Sequence, residues 1–134
     1  MSSPDPIKSF LAGKRFAVVG ASRDREKYGN KVLRAYLQNG LDAVPVNPTG
    51  GEIEGLTAYP DLTQVPGQVD GVSIITPPKV TETVVAQAVS LGLKHIWMQP
   101  GAESDAAIDV AKRSGANVIA EGPCLLVTLR YHED

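Results

Sequence analysis

A short loop of small and cationic residues follows the first apolar run of the chain, residues 16–19. A buried strand that turns at a glycine into a helix offers a phosphate the free N–H groups and positive potential of the helix N-terminus. Cationic side chains add charge-assisted hydrogen bonds to the same group. The pattern predicts a phosphate-binding loop with these candidate residues: Gly20, Ala21, Ser22, Arg23, Arg25 and Lys27.

This loop departs from the two common phosphate motifs. In the dinucleotide fingerprint G-x-G-x-x-G, Gly20 fits the first glycine, but Ser22 and Arg25 stand in place of the second and third. The second predicted strand ends in Asn47-Pro48, where a carboxylate would receive a ribose diol. Neither departure favours NAD, and Arg23, Arg25 and Lys27 near the turn favour a ligand with additional phosphate charge. The P-loop motif G-x-x-x-x-G-K-[ST] is absent from the sequence, which argues against a P-loop kinase or ATPase.

The sequence predicts no catalytic or metal-binding residue. Neither His95 nor His132 has a neighbouring Asp or Ser that would suggest a triad. The single cysteine, Cys124, is interpreted first as a small buried hydrophobe, although a thiolate near the end of the last strand could approach a ligand thiol. Metal-spaced Cys or His clusters do not occur. We therefore expect binding rather than catalysis.

Strands and helices alternate about every 25 residues. Continuous apolar runs are typical of strands buried on both faces, and the alternation predicts right-handed βαβ crossovers. We expect an α/β fold: one Rossmann-like doubly wound parallel sheet of about five strands, in a single domain of residues 1–134. The predicted strands are 15–19, 42–46, 71–76, 95–99 and 117–120; the predicted helices are 6–12, 30–39, 80–91 and 104–114; 49–55 is a Gly-rich loop, 59–67 a short turn or helix, and 124–129 an apolar tail.

Polar, proline and glycine residues collect where the predicted strands end. Ligands of open α/β sheets bind beyond the carboxyl ends of the strands, so these turns are candidates for one shared site. Tyr28 adds an aromatic ring that can stack on a base or line a groove, whereas Trp97 lies within a strand and is interpreted as core. The further candidates are Asn47, Pro48, Thr76, Pro77, Pro78, Gln99, Pro100 and Gly101.

Composition and charge exclude several classes of protein. The 134 residues carry a net charge of -2 with both signs interspersed, which argues against nucleic-acid and membrane-surface partners. One cysteine allows no intrachain disulfide. The N-terminus shows no signal-peptide pattern, and no apolar run approaches the ~20 residues that span a bilayer. We expect a soluble cytoplasmic domain.

An ordered set of motifs resembles the small stand-alone CoA-binding proteins, which are similar to the CoA-binding domain of the succinyl-CoA synthetase alpha subunit. The resemblance covers about residues 10–130 and implies a Rossmann-like fold that binds coenzyme A. The motifs are Val18-Val19-Gly20-Ala21-Ser22, Tyr28-Gly29-Asn30-Lys31-Val32, Pro45-Val46-Asn47-Pro48, Gly55 with Tyr59-Pro60, Thr76-Pro77-Pro78, and Trp97-Met98-Gln99-Pro100-Gly101.

The resemblance also implies roles for these turns. Residues 20–23 would hold the CoA phosphates, 47–48 would lie near the 3'-phosphate ADP end, 76–78 would pack along the nucleotide, and 99–101 would lie beside the pantetheine arm.

Two departures from the family pattern affect those roles. The synthetase has a lysine in its second loop, where this chain reads Thr49-Gly50-Gly51, so Arg23, Arg25 or Lys27 has to supply charge for the 3'-phosphate. Pro100 stiffens the last turn and removes an N–H donor.

Three interpretations of function stay open at this point. The first is a CoA- or acyl-CoA-binding protein without catalytic residues. The second is a small NAD(P)-dependent oxidoreductase or a subunit of one. The third is a ligand-sensing regulatory module that acts through a protein partner, and self-association into a homo-oligomer is compatible with each of them.

Overall fold

The computed structural model describes residues 5–133. Residues 1–4 and 134, which belong to the predicted single domain, lie outside the described residues, as does most of the N-terminus interpreted above. The elements in chain order are α1 (Pro6–Leu11), β1 (Arg15–Val19), α2 (Tyr28–Gln38), β2 (Asp42–Val46), β3 (Glu52–Ile53), β4 (Leu56–Thr57), a 3-10 turn (Leu62–Gln64), β5 (Gly71–Ile74), α3 (Pro78–Ser90), β6 (His95–Met98), α4 (Asp105–Arg113), β7 (Asn117–Ile119) and α5 (Leu125–Thr128).

The central sheet has five parallel strands in the order β2-β1-β5-β6-β7. Val19 of β1 lies between Val46 of β2 and Ile74 of β5, so three strands end at the same level. The strand order reverses between β1 and β5, which is the switch point where doubly wound sheets open a crevice. The predicted Rossmann-like α/β fold with five strands is confirmed.

Two apolar layers enclose the sheet. Phe16 of β1 faces α1, α2 and α5, where its ring stacks on Phe10 at 5.2 Å and on Tyr36 at 5.0 Å between centroids. The next residue, Ala17, faces α3 and α4 on the opposite side. Trp97 is fully buried in the first layer, as its position within a strand predicted. Burial on both faces explains why the strands are continuous apolar runs.

Element boundaries differ from the prediction at helix starts and in the Gly-rich loop. Helix α2 begins at Tyr28 rather than residue 30, and α3 begins at Pro78 rather than residue 80 because proline suits the first helical position. The Gly-rich loop contains β3 and the turn of the β3–β4 hairpin, whose residues Glu54 and Gly55 have φ of 51° and 79°. Such turns are usually Asn-Gly or Asp-Gly, so a Glu-Gly turn does not predict a hairpin from the sequence.

The apolar tail is also partly ordered as helix, because α5 lies within it. Three of the predicted strands, those of β5, β6 and β7, end one or two residues earlier than expected. Among residues 5–133, none of the helices has the length and apolar character needed to cross a membrane.

Candidate functional site

An open cleft of about 460 Å³ lies at the carboxyl ends of β1, β2 and β5. It sits at the switch in strand order, where the sequence predicted the site. Six of the predicted residues line it: Gly20, Ala21, Ser22, Lys27, Tyr28 and Asn47. Glu26, Gly29 and Ile75 complete the lining and were not among the predicted residues.

The N-terminus of α2 opens into this cleft without a side-chain cap. Lys27 is the N-cap residue, and no side chain accepts a hydrogen bond from the first turn. At the same edge of the sheet, α4 is capped by Ser104, whose hydroxyl accepts the N–H of Ala107 at 3.1 Å. Uncapped N–H groups and the helix dipole favour an anion, so α2 provides what a phosphate requires.

Two glycines allow backbone segments to pack closely at the end of β1, the turn after β5 against Gly20 and the first turn of α2 against Gly29. Gly20 has φ of 97°, and a Cβ there would overlap the carbonyl of Ile75. A Cβ on Gly29 would overlap the carbonyl of Gly20. Arg25 stands at the position of the helix-packing glycine in the fingerprint, but Gly29 has that role because this loop is longer.

Hydrogen bonds join the loops that follow β1 and β2. Asn47 donates from Nδ2 to the carbonyl of Ala21 at 2.8 Å, and its Oδ1 accepts the N–H of Thr49 at 2.9 Å. Arg23 donates to Thr49 Oγ1 at 2.9 Å and to the carbonyl of Gly50. Arg23 therefore supports the second loop, and we call this set the loop brace: Ala21, Arg23, Asn47, Thr49 and Gly50. Pro48 lies within the braced turn.

A second hydrogen-bond network, from the buried face of α2, supports the loop after β1, and it was not predicted from the sequence. Asn30 is fully buried and donates from Nδ2 to the carbonyl of Ser22 at 2.8 Å and to Glu54 Oε2 at 3.2 Å. Buried Arg34 donates to Asn30 Oδ1 at 2.6 Å and to the carbonyl of Arg25 at 2.8 Å. A polar pair four residues apart on the buried face of α2 is the signal that could have revealed it.

The three cations of the loop have different surroundings. Arg25 is paired with Glu54 of the hairpin turn, with Nε and Oε2 3.4 Å apart. Arg23 belongs to the loop brace. Lys27 lines the cleft, and its ammonium has no ion pair within residues 5–133. Glu26 lines the same cleft and offsets part of that charge. Lys27 is therefore the cation best placed for a ligand phosphate.

The turns after β5 and β6 continue the edge of the sheet beyond the cleft lining. Thr76 is half-buried and shares a hydrogen bond with Thr81 at 2.7 Å, while Pro77 and Pro78 are exposed at the start of α3. The α3 N-terminus also lacks a side-chain cap. Pro100 and Gly101 are exposed in the turn after β6.

Gln99 is placed differently from the exposed residues that follow it. It is buried, and its Oε1 accepts the N–H of Leu125 at 2.7 Å while Nε2 donates to Cys124 Sγ at 3.5 Å. The side chain thus holds α5 against the end of β6. Its predicted place beside a pantetheine arm depends on the backbone of the turn rather than on this side chain.

The two histidines lie away from the cleft lining. His95 begins β6 at the amino end of the sheet, where its Nδ1 and Asn117 Nδ2 are 3.1 Å apart. His132 is exposed near the C-terminus, and its backbone N–H donates to Gln38 Oε1 at 3.2 Å. Neither ring faces the groups that line the cleft.

The sequence matches the family described as CoA binding domain over residues 14–130. It is 30% identical, over an alignment of 127 residues, to ADP-forming acetate–CoA ligase II of Archaeoglobus fulgidus. The match covers 86% of this chain and 19% of the ligase, so the chain spans about a fifth of that relative. YneT of Bacillus subtilis is 29% identical over 116 residues, 86% of each protein.

A solved structure has the same fold. A conserved hypothetical protein from Pyrococcus furiosus has 39% sequence identity and a TM-score of 0.81, with 87% of this chain and 99% of that chain covered. The family match over residues 14–130 includes the loop after β1 and all the residues that line the cleft. The chain belongs to the CoA-binding domain family.

Proposed function

We propose that this chain binds coenzyme A in the cleft at the carboxyl ends of β1, β2 and β5. The observation that carries the proposal is the uncapped N-terminus of α2, which opens into the cleft beside Lys27. A pyrophosphate is the part of CoA that this arrangement suits, because it accepts backbone N–H groups and carries negative charge. Family membership identifies the ligand class to test first.

The remaining residues of the cleft suit the rest of the nucleotide. Tyr28 is 66% exposed at the mouth, so its ring is free to stack on adenine. Ser22 Oγ accepts the N–H of Asp24 at 3.1 Å, which leaves its hydroxyl hydrogen to donate to a phosphate oxygen. The missing second glycine of the NAD fingerprint is thereby replaced by a donor.

Titration calorimetry with CoA, dephospho-CoA, acetyl-CoA and NADH tests this proposal. We expect micromolar or tighter binding of CoA, weaker binding of dephospho-CoA, and no heat with NADH. Comparable affinity for acetyl-CoA would extend the ligand class to acyl-CoA. Absence of heat with CoA, or tighter binding of NADH, would overturn the proposal and favour the oxidoreductase interpretation.

Ser22→Asp tests the assigned loop directly. A carboxylate at this position places like charge against the phosphates, so we expect loss of CoA binding. Ser22→Ala is the matched control, because it keeps a small side chain and adds no charge. It removes the hydroxyl donor and also the acceptor of the Asp24 N–H, and we expect a reduction of about 10-fold or less. Unchanged affinity in Ser22→Asp would refute the location of the phosphate site.

A protein partner is part of this proposal. The ligase relative is several times longer than this chain, so related domains occur within larger enzymes. We propose that CoA bound here is presented to, or sensed by, a partner or a second copy of the chain. A pull-down that gives the same partners with and without CoA would contradict that role.

A further inference from the structure

Arg34 is a buried cation on α2 that contacts the loop after β1 without lining the cleft. Its guanidinium donates to the carbonyl of Arg25 at 2.8 Å and to Asn30 Oδ1 at 2.6 Å. Asn30 in turn donates from Nδ2 to the carbonyl of Ser22 at 2.8 Å. Arg34 therefore fixes the loop at two points, one directly and one through Asn30.

Residues 131–133 hold the same guanidinium from outside the loop. The centroid of the Tyr131 ring lies 5.3 Å from Arg34 Cζ, and Glu133 Oε2 lies 3.5 Å from Arg34 Nη1. Glu133 Oε1 also pairs with Lys31 Nζ of α2 at 3.1 Å. A buried cation needs such compensation, because it has lost its hydration. Since these contacts do not involve the loop, they hold Arg34 in place independently of the loop conformation.

The hydrogen bonds of this network decide which way the peptide groups of the loop point. The carbonyl of Ser22 and the N–H of Arg23 belong to one trans peptide group and point in opposite directions. While Asn30 holds that carbonyl, the N–H of Arg23 has no acceptor among the described residues. The preceding peptide group is fixed similarly: Asn47 holds the carbonyl of Ala21, and the N–H of Ser22 has no acceptor in the described part of the chain. Successive unpaired N–H groups bind anions, whereas a carbonyl turned toward a phosphate would repel it.

We propose that Arg34 is a positioning residue for CoA binding, which carries the support of residues 131–133 through Asn30 to the loop after β1. The inference rests on the proposed function, because it requires the CoA phosphates to bind at this loop. Without the forked contact of Arg34, the peptide group after Ser22 can rotate and turn its carbonyl toward a phosphate. CoA then has to order the loop as it binds, so affinity falls although no group that touches CoA has changed.

Arg34→Lys tests this role, because lysine keeps the charge and lacks the fork of donors. We expect CoA binding, measured by calorimetry, to weaken by about 10-fold. Arg15→Lys is the matched control, because the Arg15 guanidinium donates to the carbonyls of Pro66 and Gln68, at 2.6 and 3.3 Å, beside the amino end of β1. It should lower the unfolding midpoint, as Arg34→Lys does, and leave CoA affinity unchanged.

Two further measurements do not depend on the folding of Arg34→Lys. Tyr131→Leu keeps an apolar side chain and removes the ring from Arg34, so we expect CoA binding to weaken by about 3-fold. In the wild type, CoA should shift the NMR signal of the Arg34 Nε–H, although this group lies outside the cleft lining. The signal of the Arg15 Nε–H should not move.

Each outcome of these experiments bears on the inference. Unchanged CoA affinity in Arg34→Lys or in Tyr131→Leu, or an unmoved Arg34 signal, would overturn it. An equal loss of CoA affinity in Arg15→Lys would also overturn it, because affinity would then follow stability alone. Failure of the wild-type protein to bind CoA would overturn the proposed function instead, and this inference with it.

Discussion

The carbonyl of Gly20 fills the space that a Cβ atom on Gly29 would need. This contact brings the first turn of α2 against the end of β1. Since Lys27 leaves the helix uncapped, the same contact aims the free N–H groups of α2 at the cleft. Gly20 and Gly29 thus have the roles of the first and third glycines of the dinucleotide fingerprint, the tight turn and the close helix–strand packing, although the loop between them is longer.

Gly29→Ala is expected to lower both stability and CoA affinity. Glycine within a helix costs about 1 kcal/mol relative to alanine, so without a clash the substitution would stabilise the protein. Here the added Cβ overlaps backbone, which cannot move aside as a flexible side chain can. Thermal unfolding and CoA titration measure the two effects.

Gly115→Ala is the control for Gly29→Ala. Gly115 follows α4 with φ of 84°, and a Cβ there meets nothing within 4 Å, so the change costs about 1–2 kcal/mol of backbone strain without touching the cleft. It should lower the unfolding midpoint and keep CoA affinity. A raised midpoint in Gly29→Ala would contradict the close approach.

Lys27→Ala should weaken CoA binding more than Arg25→Ala does. Lys27 lines the cleft, whereas the Arg25 guanidinium is paired with Glu54 at 3.4 Å. Loss of a charged contact to phosphate reduces affinity by about 10-fold. Because salt screens this contact, about 0.5 M salt should reduce the difference in CoA affinity between the Lys27→Ala and Arg25→Ala variants. Calorimetry at low and high salt measures the loss of CoA affinity in each variant and how far salt reduces the difference between them. A larger effect of Arg25→Ala would mean that the hairpin releases this arginine to the ligand.

Asp70 should make the fold sensitive to acid. Hydrogen bonds from the backbone N–H groups of Lys14 and Arg15, at 2.7 and 3.0 Å to Oδ2, hold the pKa of Asp70 below its ordinary value. Because the unfolded chain takes up the proton first, the stability that Asp70 contributes is complete above its ordinary pKa. It is lost as the pH falls through that value and then through the lower pKa of the folded state.

Urea unfolding at pH 7 and pH 3 tests this linkage. Wild type should lose more stability over that interval than Asp70→Asn, which has no charge to titrate at this position. Asp109→Asn is the control, because its carboxylate pairs with Arg113 on an exposed helix face and surface pairs contribute little. Equal pH dependence of the wild type and Asp70→Asn would refute the assignment.

Most of the fold could be predicted because its signals are local. Strands such as Arg15–Val19 and Asp42–Val46 are apolar runs bounded by turn residues, and their predicted limits match the structure. The β3–β4 hairpin could not be predicted, because its short strands carry no apolar period and Glu54 adopts a left-handed conformation usually left to Asn, Asp or Gly. Tertiary contacts with Arg25 and Asn30 hold that glutamate in place.

The site could be predicted as a set of loops and not as a set of contacts. Ends of parallel strands meet at one edge whatever their side chains do, so Gly20, Ser22 and Asn47 were found from topology. The sequence does not show which cation contacts a neighbouring loop, so it predicts the same phosphate-binding role for Arg23, Arg25 and Lys27. In the structure Arg23 belongs to the loop brace and Arg25 pairs with Glu54 of the hairpin, whereas Lys27 does neither. The sequence likewise does not predict that Glu103 Oε2 is buried without a hydrogen-bond donor among the described residues.

The buried pair of Tyr36 and Ser73 should behave as one unit. Tyr36 reaches from α2 to β5, where its hydroxyl and Ser73 Oγ form a hydrogen bond, and burial raises the pKa of Tyr36 well above its ordinary value. Either Tyr36→Phe or Ser73→Ala leaves a buried hydroxyl without its partner, at a cost of about 1–3 kcal/mol.

The double variant removes both polar groups, so its loss of stability should be smaller than the sum of the two single losses. Urea unfolding of the four proteins in this cycle measures the coupling. Tyr28→Phe is the control, since that side chain is mostly exposed and its hydroxyl can reach water; it should leave the midpoint unchanged. If the two single losses of unfolding free energy add up in the double variant, the hydroxyls of Tyr36 and Ser73 have other partners. The hydrogen bond between α2 and β5 would then contribute nothing to stability.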